Sequence, residues 1–429
     1  MLMVARERRV TGKMLAFLRE ADWLTPERVR GYAVILGIAS LALLANSYMK
    51  ALGPDGSDFL AFWGAGQVTF AGDPAAAYDL ATQERVQTAT GSRGWFAFVN
   101  PPPFLFVAAP LGALPFPLAW ITWVAATYAA YVFATMRAFA RYWLPALVFP
   151  GALLAAGHAQ TGLLTAALLV GGAALLGRQP VLAGVVLGAL VIKPHLALLV
   201  PFWLAGAGNW RGFLAAGATA VGLLLAAWRA FGLDTMIAYT RSWDASAAIL
   251  ASDDPEFYLR MASPYSQLRL VIDPGLALAA NAVVSIFAIS IAFMAWRRMG
   301  EDALASGALV LAATALASPY LFNYDLPFLI LPILWLAWTA QRQGFRPFEK
   351  LLLVALFFAP YATRAAALPL GVNLMPLASI LLVWLVWSRG GQAGSETGAA
   401  PGPKAIVTNL SSPPAMRRSE GNRVTTQSI

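Results

Sequence analysis

The sequence predicts an all-α polytopic membrane protein, and three observations carry that prediction. Of 429 residues, 59% are hydrophobic and only 12% charged, far less charged surface than a soluble chain of this size needs. Mean hydropathy is +0.64. Apolar runs long enough to cross a bilayer recur between small groups of Arg and Lys, as membrane helices do. Cysteine is absent, which excludes disulfides, zinc-thiolate sites and thiol nucleophiles. Lys plus Arg exceed Asp plus Glu by 30 to 21. In a membrane chain this excess reports orientation before it reports a nucleic-acid partner, and none is expected.

Taken in order, residues 1–30 are basic and carry no signal-peptide cleavage pattern, so they are expected to stay cytoplasmic. Residues 31–49 are uncharged and cross outward, opening a long polar outer loop over 50–100. No charge appears from Gly94 to Met136, yet Pro101, Pro102, Pro103, Pro110, Pro115 and Pro117 interrupt the run. It reads as a proline-broken, partly re-entrant piece leading into one inward crossing, the alternative being two crossings turning at Leu114–Pro117. Spans at 143–157 and 160–177 are joined by the turn GHAQTG (157–162). Residues 181–192 go out, break at IKPH (192–195), and return over 196–206. Each half of that hairpin is short for a bilayer, which places the break inside protein or a water-filled cavity.

Residues 212–231 exit to a second long loop, 232–273, whose mixed charges and aromatics (Tyr239, Trp243, Tyr258, Tyr265) suit a folded loop. Crossings then follow at 274–296, 303–317, 326–340, 351–361 and 367–388, with turns at SPYLFNYD (318–325) and PYATRAA (360–366). Ten basic residues of short loops fall inside on this tracing, whereas Lys193 and Arg364 alone fall in short outer segments. About twelve crossings with both termini cytoplasmic result. The tail over 390–429, rich in Gly, Ser, Pro and Thr, reads as disordered.

Asp58 heads the stretch GSDFLAFWGAGQVTFAGDPAAAYD (56–79). Phe59, Phe62 and Trp63 recur at helical spacing, predicting a short helix lying in the membrane interface with Asp58 at its N-terminal end. The carboxylate there admits three readings: a helix cap, a solvated loop charge like Asp55, Asp73 and Asp79, or a catalytic group. Lys193 in an apolar hairpin costs about 2.5–3.5 kcal/mol on insertion scales, so it either snorkels to the interface or serves a function at the break. His158 and Gln160 either satisfy their own turn or bind substrate. Asn323, Tyr324 and Asp325 either cap the helix that Pro327 opens or line a site. Metal ligation would need a cluster of His or carboxylates at ligand spacing, and none is visible.

On this topology Asp58, the GHAQ turn, the IKPH break and the SPYLFNYD turn share the outer side, with both histidines, His158 and His195. One outer carboxylate and one deep cation suit transfer of a sugar from a lipid phosphate. The acceptor hydroxyl loses a proton as it attacks, so a carboxylate serves as general base. The phosphate leaves without protonation, which dispenses with the second acid of a glycosidase, and a fixed cation stabilises its growing charge.

These residues carry a resemblance. DFLAFWGAGQVTFAGDPAAAYD (58–79), NPPPFLFVAAPLGALPFPLA (100–119), GHAQTGLL (157–164), AGVVLGALVIKPHLALL (183–199) and ASPYLFNYDLPFLILP (317–332) together resemble glycosyltransferase family 87. Those are the polyprenol-phosphate-mannose-dependent mannosyltransferases of the GT-C superfamily. The resemblance implies a GT-C fold over 31–389, a polyprenyl-phosphate sugar donor, and inversion at the anomeric carbon without a nucleotide sugar; a lipid or glycan acceptor and no cofactor are expected. It implies Asp58 as general base and Lys193 at the donor phosphate. His195 is expected beside Lys193, and His158, Gln160, Asn323, Tyr324 and Asp325 in substrate binding. Two departures stand out: Asn323, Tyr324 and Asp325 occupy the turn where such enzymes often carry His, and His158 is inserted in the GQ-type turn.

The expected setting is the plasma (inner) membrane, with the active site extracytoplasmic. The rival reading is a transporter or lipid flippase, which also uses broken helices and buried cations. Against it, the chain has no evident internal repeat, and its polar residues gather on one side. A scaffold leaves the IKPH break unexplained.

Overall fold

Small residues explain the middle of the molecule. In the computed structural model, which describes residues 14–250 and 254–396, the helix Ala303–Ala317 is almost wholly Ala, Gly, Ser, Leu and Val, and every residue from Ala305 onward is buried. Small side chains let neighbouring backbones approach closely, which is how helices associate without a hydrophobic driving force in lipid. Around this column the described residues are helical, 79% overall with no strands.

In chain order the longer helices are α1 Pro26–Ala51, α2 Phe59–Phe70, α3 Leu80–Thr88, α4 Leu105–Gly112, α5 Phe116–Ala138, α6 Pro150–Gly157 (after a single turn at Trp143–Leu147), α7 Gly162–Leu176, α8 Pro180–Gly188 and α9 Val200–Gly206. Then come α10 Trp210–Leu250, α11 Pro274–Arg298, α12 Ala303–Ala317, α13 Ile330–Gln343, α14 Glu349–Leu370 and α15 Met375–Glu396. Five of them, α1, α5, the Trp210–Asp244 part of α10, α11 and α14, are long and apolar enough to cross a membrane, and six more apolar helices run 10–17 residues. The outward faces of α1 and α10 are largely exposed and apolar, as lipid-facing helices must be. The chain is a membrane-embedded, polytopic helical protein.

Several expectations need correction. The α2 helix does not lie on a surface: nine of its twelve residues are buried, because it packs lengthwise against α4. The first half of the expected loop 232–273 is helix instead. At Gly232, with φ 81°, the chain bends and α10 continues, since glycine alone pays nothing for positive φ. Among the described residues beyond that helix, 254–273 is loop-like, with two short helices, Pro255–Leu259 and Pro264–Leu268. PYATRAA is no turn either. Pro360 is absorbed within α14, and the chain reverses only after Leu370, because a proline is tolerated in a helix whose neighbours satisfy the freed carbonyl. Likewise α15 runs on past Arg389 to Glu396. Residues 1–13 of the basic segment and 397–429 of the tail lie outside the described residues.

Other expectations match. Pro102–Gly112 is a short piece turning at Ala113 into the 23-residue α5, the proline-broken arrangement. The hairpin breaks at Lys193, whose φ −149° and ψ 72° separate two 3₁₀ turns, Ala189–Ile192 and Pro194–Ala197.

Candidate active site

Each turn of the site is built locally before it meets the others. The α6 helix ends in a Schellman motif: Gln160 N–H donates to Ala155 C=O (3.1 Å) and Ala159 N–H to Ala156 C=O (2.9 Å). Ala159 takes the left-handed position with φ 48°, where glycine is usual, and its carbonyl accepts the buried Trp123 Nε1–H at 2.8 Å. The motif brings the side chains of His158 and Gln160 together at Asp58. Gly162 follows, and a side chain there would collide with the carbonyl of Tyr324. Glycine therefore lets the SPYLFNYD turn seat against α6 and α7.

Asp58 begins α2 yet does not cap it. Ser57 Oγ accepts the Phe59 N–H instead (3.3 Å). Further along the same loop Asp73 and Asp79 do cap, accepting from Ala76 N–H (3.3 Å) and Thr82 N–H (2.8 Å). Asp58 is held from across the molecule: Gln160 Nε2 donates to Oδ2 at 3.0 Å, and His158 Nδ1 stands 3.7 Å from the same oxygen. Its side chain is 24% exposed, reached by water but framed by protein.

The lysine is buried rather than snorkelling. Lys193 Nζ donates to Asp325 Oδ1 and to Thr161 Oγ1 (3.1 Å), and it lies 5.4 Å from the centre of the Tyr324 ring. Asp325 is fully buried, and its second oxygen accepts the Phe322 N–H (3.1 Å). Thr161 directly follows Gln160, so one tight turn touches both Asp58 and Lys193. The Tyr324 ring stacks on Phe322 (5.0 Å, 7°) and faces His158 at 5.7 Å. His195 packs edge-on to Tyr320 at 5.6 Å, with its Nε2 buried and unpartnered.

Asp58, His158, Gln160, Lys193, Tyr324 and Asp325 thus form one connected group, with His195 at its lysine side. Asn323 is turned elsewhere. It is buried and accepts from Asn373 Nδ2 (3.4 Å), which also donates to Met261 C=O (2.9 Å). That seam ties the loop after α10 to the turn, with Ala262 N–H donating to Leu321 C=O at 2.7 Å and an isolated bridge between Met261 and Phe322. The aromatic Tyr258 and Tyr265 of that loop bury with Phe322, so the second loop is a folded cover over the SPYLFNYD turn.

Sequence reasoning missed Thr161, whose place at a helix start reads as a cap although it makes no cap bond. It also passed over Asn100, whose Nδ2 donates to Ile192 C=O (3.4 Å) while its own carbonyl accepts Tyr78 Oη–H (2.9 Å). Both stand inside the quoted motifs, beside residues already singled out.

Electrostatically, His158 is held neutral. Part of the ring is open, its side chain 43% exposed, but the surrounding protein is dense enough that burial lowers its pKa below the ordinary 6.5. Asp58 opposes that shift, and Arg364 and Arg260 reinforce it. A neutral imidazole beside a carboxylate donates or accepts a proton without adding a fixed charge. Among the described residues no three His, Asp or Glu side chains gather as a metal site requires. The arrangement therefore offers a partly exposed carboxylate and an enclosed ammonium joined through a single turn.

A model of glycosyltransferase family 87 matches residues 98–319, over half of the chain. The matched stretch contains the GHAQTG turn and the IKPH break, while Asp58 and Asp325 flank it. No curated protein and no solved structure matches the chain. With helices apolar enough to span a bilayer and this family match, the chain belongs to glycosyltransferase family 87 and is a membrane glycosyltransferase.

Proposed function

We propose that this glycosyltransferase moves a mannose-like hexose from a polyprenyl phosphate to an extracytoplasmic lipid or glycan acceptor, with inversion. Asp58 accepts the proton of the acceptor hydroxyl as its oxygen bonds to the anomeric carbon. The bond from that carbon to the phosphate oxygen breaks on the opposite face, and the electron pair departs with polyprenyl phosphate. Lys193 stabilises that leaving charge. An ammonium has three N–H donors, two of which go to Thr161 and Asp325, leaving one for a phosphate oxygen. Asp325 pairs with the buried ammonium, because a buried charge left without a partner costs several kcal/mol. His158, Gln160 and Tyr324 border the sugar.

The setting in this reading is the plasma membrane, in a GT-C fold of about twelve crossings. The termini are cytoplasmic and the Asp58 end faces outward, as the placement of basic residues in short loops favours.

The observation that carries the reading is that Asp58, unlike Asp73 and Asp79, stands at a helix start without capping it. Gln160 and His158 hold it instead, one residue from the hydroxyl that holds Lys193. The test incubates purified protein with a set of polyprenyl-phosphate sugars and follows released polyprenyl phosphate by mass spectrometry. Asp58→Asn is expected to lower transfer by roughly 10²–10⁴-fold with unchanged thermal unfolding. Wild-type turnover in that variant overturns the assignment.

A further inference from the structure

The peptide unit that carries Lys193 is fastened from outside its own hairpin. In a continuing helix the Ile192 carbonyl would accept the N–H of Leu196, but at this break Leu196 N–H turns to Lys193 C=O (3.1 Å). The Ile192 carbonyl is met instead by Asn100, whose Nδ2 donates to it at 3.4 Å. The other end of the same peptide plane is also held, because Lys193 N–H donates to Leu190 C=O (2.8 Å). A peptide unit turns as one rigid plane, and its setting fixes the direction in which the next side chain leaves the backbone. Bonds at both ends therefore aim the lysine. Ile192 is itself buried, where a carbonyl without a partner costs free energy.

Asn100 is fixed in turn. It opens the rigid proline run 101–103, and the Pro102–Phe104 turn packs on Ala189–Ile192. Its own carbonyl accepts Tyr78 Oη–H at 2.9 Å. The buried Tyr78 ring lies 5.3 Å from Phe98 and 5.6 Å from Tyr239, which stands on the part of α10 beyond the bend at Gly232. Segments from both long loops thus support one residue, and its amide reaches the backbone at the lysine. We propose that Asn100 is a positioning residue for Lys193. It sets the peptide plane between Ile192 and Lys193 so that the ammonium meets Thr161, Asp325 and a substrate phosphate together, while Tyr78 holds Asn100 in place. This role rests on the reading of Lys193 as the cation that receives the donor phosphate, and it acts through the lysine's backbone, not on the substrate itself.

The test uses full-length protein in lipid nanodiscs, comparing binding of polyprenyl phosphate with that of uncharged polyprenol and measuring donor and acceptor KM separately. Asn100→Leu keeps the bulk and removes the amide. It is expected to weaken polyprenyl phosphate binding and raise donor KM about three- to tenfold, the scale of one hydrogen bond, with polyprenol binding and acceptor KM unchanged. Tyr78→Phe removes only the hydroxyl and should move the same quantities in the same direction by less. Asn100→Gln, which keeps an amide donor on a longer stem, should recover part of the affinity. The deciding comparison repeats Asn100→Leu in a Lys193→Ala background, where it should have no further effect because the group it positions is gone. An equal effect in both backgrounds, or an equal rise in donor and acceptor KM, marks a merely structural residue and overturns the proposal. Wild-type binding and KM in Asn100→Leu overturn it as well. If thermal unfolding shows that Asn100→Leu does not fold, the same comparison with Tyr78→Phe decides. A wild-type protein that transfers nothing from any polyprenyl phosphate sugar sinks the donor reading, while polyprenyl phosphate binding still judges Asn100.

Discussion

Two buried ion pairs lie at opposite ends of α13, a helix of about 21 Å that begins after Asp325 and ends at Gln343. At the far end Arg389 and Glu349 are each 2% exposed. Arg389 donates to Glu349 through Nε (2.8 Å) and Nη2, to Gln343 through Nη1 (3.3 Å) and to Gly344 C=O (2.9 Å). Glu349 also accepts the Arg346 N–H (2.8 Å). The N-terminal stretch closes over this end, with Phe348 N–H donating to Arg19 C=O (2.8 Å) and Lys350 pairing with Asp22 (3.1 Å).

The near pair is of another kind. Lys193 sits in a helix break, held by one carboxylate oxygen and one hydroxyl, with an aromatic face, an unpartnered imidazole nitrogen and the water-reached Asp58 around it. A planar fork clamped on both sides fixes two helices to each other, while an ammonium is a point charge with a donor to spare. One pair secures the bundle; the other, in the proposed reading, has a donor free for the substrate phosphate.

The largest expected effect tests the far pair. Arg389→Met or Glu349→Gln strands the opposite charge and should cost about 3–5 kcal/mol of stability, read as a lower melting temperature in detergent. Turnover per folded molecule should stay unchanged. Transfer lost without any drop in melting temperature would dissolve the division between the ends.

The near pair sharpens it. Lys193→Met alone strands the fully buried Asp325, so it should also lower the melting temperature, and it should weaken donor binding. Adding Asp325→Leu removes the stranded carboxylate and should return much of the stability but none of the transfer, since an apolar pair of similar volume is often neutral. A double variant that regains transfer shows that the lysine serves packing alone.

The smallest effect concerns pH. His158 binds a proton less readily in the folded chain than in the unfolded one, so its contribution to stability is complete above the ordinary pKa of 6.5. It declines as pH falls below that value towards the depressed native one. Once pH falls through that native value, a charged imidazole would face Asp58 and blunt it as a base. His158→Gln should therefore flatten the acid side of both the melting-temperature and the activity profiles, and an acid limb that survives in the variant must belong to another group.

Much of the fold was legible where local chemistry decides it. The break at Lys193 follows from Pro194, which lacks an N–H and disfavours helix in the residue before it. The short piece ahead of α5 follows from its prolines. The chain was misread where a local signal was overruled by neighbours. Charge made PYATRAA look like a turn, but Pro360 is carried inside α14. Aromatic spacing made α2 look interfacial, but α4 covers it. The polar character of 232–250 hid a helix resumed after Gly232. In the site, residue type alone left Asp58 equivalent to Asp73 and Asp79, and only their partners separate them.

By itself the sequence determined the membrane setting, the places where helices must fail, and the few polar residues that chemistry could use. These follow from hydropathy, proline and charge, each a property of a residue and its near neighbours. The tertiary structure decided which of those residues meet. Gln160 reaches Asp58 across 102 positions and Lys193 reaches Asp325 across 132. Such pairings depend on how helices cross and how closely glycines let them approach, and no local pattern encodes that.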